Sequence, residues 1–228
     1  IGVQTPANVP IVAADAPAGA ALEVLHNWLD APPAPEGGVS HRLLAGLEGR
    51  KVFVYAGNMG VAQDLDAFLD LASRLRDRPD IAFLLIGRGS EQARLRQEAA
   101  TRGLGNLRIE DQVSQAELSA LLAQCYAGIV ALHPAHGTHN IPGKLLTYLQ
   151  AGLPVLARVN PGNDLHPLVL EEGLGASVEG ESPEALLEAA LSLADSPEAR
   201  AAMGQRGRRL SARLFSPAAA AEQVVRGL

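Results

Sequence analysis

The chain has 228 residues, of which 47% are hydrophobic and 19% are charged. This length is enough for one large domain, or for one domain with part of another. A formal net charge of −6 argues against a nucleic-acid-binding surface, because contacts to phosphates need clustered Lys and Arg. The single cysteine, Cys125, excludes an intramolecular disulfide and fits a reducing, cytoplasmic compartment. No apolar run is long enough to span a bilayer, so no membrane span is predicted.

The first forty residues show little periodicity. The stretch 31–41, APPAPEGGVSH, is typical of a linker, because proline and glycine interrupt any regular structure. The chain begins with Ile1 rather than Met, and its first segment is rich in Pro and Ala. We therefore expect a fragment of a longer protein.

Strand and helix patterns alternate steadily from residue 51 onward. Short apolar runs predict strands at 51–56, 81–86, 107–109, 128–132, 155–157 and 176–178. Amphipathic stretches predict helices near 62–77, 90–102, 115–125, 163–172, 183–194, 197–213 and 217–226, with one more helix within 139–156. Strands that alternate with amphipathic helices predict an α/β fold with a doubly wound, mostly parallel sheet.

The loops that follow the strands are the places to look for a binding site. Ligands of such sheets bind beyond the carboxyl ends of the strands, where the strand order reverses. Each of these loops holds glycine, histidine, asparagine or an acid: 57–62, 87–90, 110–113, 133–143 and 158–163. The sequence therefore predicts one cleft along this edge of the sheet.

The stretch 139–156, HNIPGKLLTYLQAGLPVL, is the most informative part of the chain. It joins a polar loop to an apolar helix, whose N-terminus carries unpaired N–H groups and about half a positive charge. Lys144, which follows Gly143, adds a full charge at the same place. We interpret this helix start as a site for a phosphate group.

Two earlier loops offer further ligands, each with a simpler alternative. Gly57 and Asn58 follow the first strong strand, but this loop has only G-x-x-G, so a nicotinamide cofactor is poorly supported. The alternative is a plain strand-to-helix turn. Arg88, after the second strand, could pair with a phosphate or stack on a base, or could be a solvated arginine.

Metal binding is not favoured by either of the two patterns that suggest it. His133, His136 and His139 recur at every third residue, but Pro134 lies in this loop and gives them no common helical face. We expect one or two of these histidines to hydrogen-bond a ligand. The D-x-D sequence at 64–66 is interpreted as acids at the start of a helix, where the helix dipole favours them.

Residues from about 41 to 226 resemble the C-terminal, donor-binding domain of retaining glycosyltransferases of the GT-B fold, family 4 type. The motifs that carry the resemblance are YAGNMG at 55–60, FLLIGRG at 83–89, NIPGKLLTYLQAGLPVLA at 140–157 and GNDL at 162–165. The subgroup with this pattern looks like transferases that assemble surface polysaccharides such as O-antigen, capsule or lipopolysaccharide. HNWLD at 26–30 looks like the last strand and turn of a preceding N-terminal domain. The resemblance thus implies that residues 1–40 are the tail of that domain with a linker, and that 41–228 bind the donor.

The chain departs from the family pattern at three places. The family places two glutamates eight positions apart around the third motif, and here His139 and Thr147 stand at those positions. The family's Arg…Lys pair on the first loop is also missing, with Asn58 and Gln63 nearby instead. Lys144 and Arg88 are then the expected sources of positive charge.

The resemblance implies a UDP-sugar donor, retaining transfer and no metal or other cofactor. The base is expected near Gln112 and Val113, the pyrophosphate between Gly57-Asn58 and Gly143-Lys144, and the ribose at Thr147. Lys144 and His139 are the expected catalytic residues. The remaining donor-binding residues are expected to be Arg88, Asn140, Ile141, Pro142, Asn163 and Asp164.

The acceptor, a lipid-linked or free saccharide, is expected to bind through the N-terminal domain. We therefore expect this chain alone to bind nucleotide but to transfer little sugar, and the full-length protein to be cytoplasmic or peripheral at the inner membrane face. Two alternatives stay open. One is a sugar-nucleotide epimerase of the same fold, and the other is a binding module that has lost its chemistry.

Overall fold

The computed structural model describes residues 1–31, 40–135, 137 and 140–226. Most of the predicted linker lies outside the described residues, as do His136 and His139. The role predicted for His139 therefore stays a prediction.

The first residues form a small unit that packs on the rest of the chain. Strands β1 (Gly2–Val3) and β2 (Glu23–Val24) pair in parallel, and helix α1 (Asn8–Ala13) connects them. The prediction of a strand at 26–30 is wrong, because the strand lies at Glu23–Val24 and residues 26–30 are irregular.

Residues 26–30 are irregular because their polar backbone groups bond to the C-terminal part of the chain. The N–H of Leu29 donates to the carbonyl of Phe215 over 2.9 Å. The side-chain amide of Gln150 donates to the carbonyls of Leu29 and Asp30 over 3.2 and 3.0 Å. These bonds replace the ladder that a strand would need.

The described residues form one six-stranded sheet, and every pairing in it is parallel. Its strands are β3 (Lys51–Asn58), β4 (Ile81–Arg88), β5 (Leu107–Asp111), β6 (Ala127–Ala131), β7 (Val155–Val159) and β8 (Gly175–Glu179). The strand order is β5-β4-β3-β6-β7-β8. The predicted doubly wound α/β sheet is confirmed, and its order reverses between β3 and β6, where a ligand crevice is expected.

Helices cover both faces of this sheet. They are α2 (Ser40–Leu44), α3 (Asp66–Arg74), α4 (Gln92–Thr101), α5 (Gln115–Leu122), α6 (Gly143–Ala151), α7 (Leu165–Glu171), α8 (Pro183–Ala194), α9 (Pro197–Leu214) and α10 (Pro217–Arg226). Side chains of β3 alternate between two cores, since successive strand residues point to opposite faces. Val52 and Val54 pack in one core, and Phe53 and Tyr55 pack in the other.

The helix predicted at 62–77 is shorter and broken at its start. A 3-10 turn spans Val61–Gln63, and α3 begins only at Asp66. Between them Asp64 takes a left-handed conformation with φ of 45°. Its carboxylate accepts a hydrogen bond from the buried guanidinium of Arg158 over 2.6 Å, and this long-range ion pair accounts for the break.

Cys125 lies in the core. Burial raises the pKa of its thiol to about 12, so the thiolate needed of a nucleophile is not available near neutral pH. Across the described part of the chain, no helix combines the length and apolar character needed to cross a bilayer.

Candidate functional site

A cleft of about 490 Å³ lies at the carboxyl ends of β3, β4 and β5, beside the start of α6. Seven of the residues predicted from the sequence line it: Gly57, Asn58, Arg88, Gln112, Val113, Lys144 and Thr147. The loop at 158–163 does not line this cleft. The structure thus brings together most of the predicted loops, but not all of them.

Glycines allow the first two loops to touch. Gly57 and Gly87 are register partners on β3 and β4, with φ of 151° and 156°. A Cβ at Gly87 would lie 1.8 Å from the carbonyl oxygen of Gly57. No side chain fits there, so these residues form a flat backbone floor that a ligand can approach closely.

Two buried tyrosines hold the first loop in place. The hydroxyl of Tyr148 accepts a hydrogen bond from the N–H of Ala56 over 2.9 Å. The hydroxyl of Tyr55 donates a hydrogen bond to the carbonyl of Asn58. The ring of Tyr148 lies against Gly128, where a Cβ would come within 2.4 Å of the ring.

Asn58 is held by Gln63. The side-chain oxygen of Gln63 accepts hydrogen bonds from the Asn58 amide and from the N–H of Gly60, each over 3.0 Å. This contact orients Asn58 at the rim of the cleft while leaving its side chain exposed.

Lys144 lies in the first turn of α6, with its ammonium group inside the cleft. Its Nζ lies 5.1 Å from the centre of the Tyr55 ring. Among the described residues no carboxylate forms an ion pair with it, and burial lowers its pKa from 10.5 to about 8. The N-cap residue Pro142 provides no side-chain cap for the first N–H groups of α6, and Lys144 carries one of these groups.

Arg88 and Thr147 complete the polar lining. Arg88 is exposed at the end of β4, and no ion pair links it to another described residue. The hydroxyl of Thr147 lies 3.5 Å from the carbonyl of Gly143, which is a long hydrogen bond. Both side chains can therefore reorient toward a ligand.

Several residues of the cleft were missed in the sequence. Gln115 and Leu118 line it from α5, and Gln92 joins two of its loops by donating to the carbonyl of Gly87 and to the carboxylate of Asp111. Tyr55 and Tyr148 stand inside the quoted motifs, but their hydrogen-bond partners depend on tertiary packing. Gln115 stands two residues after Val113, so its closeness to the predicted loop at 110–113 was a signal that it could line the cleft.

Other predicted residues are engaged elsewhere. Ile141 is buried, and its carbonyl accepts a hydrogen bond from Asn27 over 3.2 Å. Pro142 is also buried, while Gly143 begins α6 at the surface. Neither these residues nor Asn140 line the cleft described above.

The structure does not bring Asn163 and Asp164 into the cleft. Asn163 is 1% exposed, its amide donates to the Asn160 side chain over 2.9 Å, and its oxygen accepts from the N–H of Leu165 over 3.0 Å. Asp164 accepts from the N–H of Ala7 over 2.8 Å. Both side chains form hydrogen bonds within the fold, and these hydrogen bonds would have to break before either side chain could contact the donor sugar.

The two acids and the one described histidine that suggested a metal have other partners. Asp66 lies in the first turn of α3, as predicted, and pairs with Arg94. The Nδ1 atom of His133 lies 3.1 Å from the backbone nitrogen of Ala135. No group of His, Cys, Asp and Glu in the described ranges is arranged to hold a metal ion.

Several solved structures and curated sequences that resemble this chain are glycosyltransferases. The UDP complex of HepE from Anabaena superposes with a TM-score of 0.80 at 14% identity, over 98% of this chain and 61% of that one. At this identity the likeness shows the fold alone, which is that of GT-B glycosyltransferases.

Two curated relatives carry glycosyltransferase names. WcaI of Escherichia coli K12, a putative colanic acid biosynthesis glycosyl transferase, is 30% identical over 171 residues, which are 75% of this chain and 38% of the relative. WbjE of Pseudomonas aeruginosa, a probable glycosyltransferase, is 27% identical over 61% of this chain and 34% of its own length. The chain thus spans less than half the length of these relatives. The family described as "Glycosyl transferases group 1" matches residues 50–196, and the chain belongs to that family.

Proposed function

We propose that this chain is the donor-binding part of a retaining glycosyltransferase of surface-polysaccharide assembly, which binds a UDP-sugar without a metal ion. The observation that carries the proposal is the place of Lys144. Its ammonium lies in a cleft at the carboxyl ends of the strands, at the N-terminus of α6, and no acid of the described residues forms an ion pair with it. Such a place favours a bound anion.

The size and lining of the cleft support a nucleoside diphosphate. Its volume of about 490 Å³ lies within the usual range of small-molecule sites, roughly 300 to 1,000 Å³. The pyrophosphate would lie between Gly57 and Lys144, and the base would lie toward Gln112 and Val113. The choice of UDP is supported by the UDP bound in HepE, and the polysaccharide role by the name of WcaI.

Transfer of the sugar leaves negative charge on the β-phosphate as the donor bond breaks. Lys144 and the N–H groups of α6 would stabilise that charge as it develops, because they are already oriented before the reaction. Arg88 would add a second positive charge from β4. These groups would supply the charge that a metal ion provides in other transferases, and His139 and Asn140 would meet the sugar.

Calorimetric titration of the 228-residue chain with UDP and with uridine tests the proposal. Lys144→Ala should weaken UDP binding about 10- to 100-fold, because a charge-assisted contact is lost, and should leave uridine binding nearly unchanged. The chain has one other lysine, Lys51, at the opposite end of β3, so Lys51→Ala is a matched control that should bind UDP normally.

Two outcomes would contradict the proposal. Equal losses for UDP and uridine would show that Lys144 does not contact the pyrophosphate. Loss of UDP binding on addition of EDTA, with recovery on addition of Mg²⁺, would show that the site needs a metal ion.

A further inference from the structure

Tyr55 lies directly beneath the ammonium group of Lys144. The distance of 5.1 Å from Nζ to the ring centre is within the range of about 6 Å over which an aromatic face attracts a cation. Tyr55 is fully buried, and Lys144 is partly buried above it. Burial strengthens this attraction, because less water competes for the cation.

The ring of Tyr55 has a fixed position. Its hydroxyl donates to the carbonyl of Asn58, and its side chain packs in the core beneath β3. A Cβ at Gly57 would lie 3.3 Å from Cε of Lys144 and 3.7 Å from the hydroxyl of Tyr55. The end of Lys144, the ring of Tyr55 and the bare backbone of Gly57 therefore meet at one point.

We propose that Tyr55 is a positioning residue that holds the ammonium of Lys144 at the floor of the cleft before the donor arrives, a role that rests on the proposed function of the cleft. A lysine side chain in solution samples many rotamers, and ordering it opposes binding. The ring of Tyr55 orders Lys144 in the free protein, so less conformational entropy is lost when the nucleotide binds. Tyr55 acts through Lys144 and needs no contact of its own with the nucleotide.

Three substitutions separate the ring from the hydroxyl and from a general loss of structure. Tyr55→Leu removes the ring and should weaken UDP binding about tenfold, with little change for uridine. Tyr55→Phe restores the ring and should bring UDP affinity back to within about threefold of the unsubstituted chain. Tyr126→Leu is the matched control, since Lys51 lies 6.0 Å from that ring, and it should leave UDP affinity unchanged.

A double-mutant cycle tests whether Tyr55 acts through Lys144. In a Lys144→Ala background, Tyr55→Leu should cause no further loss of UDP affinity, because the cation that it positions is gone. Independent, multiplicative losses would overturn the proposal. An equal loss for UDP and uridine in Tyr55→Leu would overturn it too.

A measurement without nucleotide tests the geometry alone. The chain has two lysines, so reductive methylation with ¹³C-formaldehyde labels both together with the amino terminus, and the signals that Lys144→Arg removes are those of Lys144. The ring current of Tyr55 should displace the Lys144 methyl signals upfield, and Tyr55→Leu should abolish the displacement while Tyr55→Phe keeps it. Undisplaced signals in the unsubstituted chain would overturn the proposal. Displaced signals without any UDP binding would support the placement and instead overturn the proposed function.

Discussion

Strand β3 has a lysine–tyrosine pair at each end, and the two pairs differ in their surroundings. At the amino end Lys51 lies 6.0 Å from the ring of Tyr126 and also binds the carboxylate of Asp80 over 3.1 Å. At the carboxyl end Lys144 lies 5.1 Å from the ring of Tyr55, without a carboxylate among the described residues. A lysine whose charge is neutralised by an acid of the fold contributes to the structure, whereas a lysine without an acid partner is available to bind an anionic ligand.

The acid at the amino end belongs to a larger network. Arg78 binds Asp80 over 2.8 Å and Asp195 over 2.7 Å. Arg78, with Lys51, holds the pKa of the Asp80 carboxyl well below its usual range. These side chains are about a third or more exposed, except Lys51 at 28%, so each pair contributes at most about 1 kcal/mol. The carboxyl end has the opposite balance, because a partly buried charge without a carboxylate partner lowers the stability of the fold.

The largest expected difference between the two ends is the loss of stability when a glycine is replaced by alanine. Gly87→Ala should lower the free energy of unfolding by about 3 to 5 kcal/mol, because a Cβ would meet the Gly57 carbonyl at 1.8 Å and the backbone conformation disfavours alanine. Gly49 precedes β3 at the amino end and has φ of 74°, but a Cβ there would have no other atom within 4 Å, so Gly49→Ala should cost at most about 2 kcal/mol. Urea unfolding measures both values. Similar losses of stability in the two variants would show that the close contact between positions 87 and 57 does not contribute to the effect.

Replacing either lysine by methionine should change the free energy of unfolding, and the two changes should have opposite signs. Burial lowers the pKa of Lys144 from 10.5 to about 8, so below pH 8 its charge reduces stability. Lys144→Met should therefore raise the free energy of unfolding at pH 7 by up to about 3 kcal/mol. The gain should shrink between pH 8 and pH 10.5, where the folded chain has lost the proton that the unfolded chain still holds.

Lys51→Met is the control for that gain. It breaks the ion pair with Asp80 and should lower the free energy of unfolding by less than about 1 kcal/mol. Thermal and urea unfolding at pH 7 and pH 10 measure both variants. A loss of stability in Lys144→Met at pH 7 would contradict the view that its charge is unpaired.

The smallest expected effect is the pH dependence of nucleotide affinity. The diphosphate prefers the protonated Lys144, so UDP affinity should be level from pH 7 to pH 8 and then fall by up to about tenfold per pH unit. Lys144→Arg should keep binding level to about pH 9, because a guanidinium does not titrate there. Titration calorimetry in buffers of different ionisation enthalpy should detect proton uptake near pH 8. A level profile for the unsubstituted chain would place the charge elsewhere.

Much of the fold could be predicted, because its signals are local. The run at 81–86 is continuously apolar, which is typical of a parallel strand covered on both faces, and it forms most of β4. The strand extends two residues further, to Arg88, because Gly87 can pair against Gly57. The start of the helix expected at 62–77 was beyond prediction, since Asp64 pairs with Arg158, which is 94 residues away.

The candidate site was predicted in outline for a similar reason. The edge of a parallel sheet gathers the ends of its strands, so seven predicted residues meet in one cleft. Asn163 shows the limit of this reasoning. It lies in the expected loop, but its side chain turns inward to Asn160 and Leu165, and only the packing of that loop determines this direction.

The sequence by itself determined the alternation of strands and helices, the helix start at Gly143 and the presence of a lysine there, because periodicity and helix geometry are properties of neighbouring residues. The tertiary structure decided which of the two lysines keeps an acid partner. Lys51 meets Asp80 and Lys144 meets Tyr55 because β3 brings together residues 29 and 89 positions apart. A charge is available for a ligand only if the fold leaves it unneutralised, and that depends on every side chain packed around it.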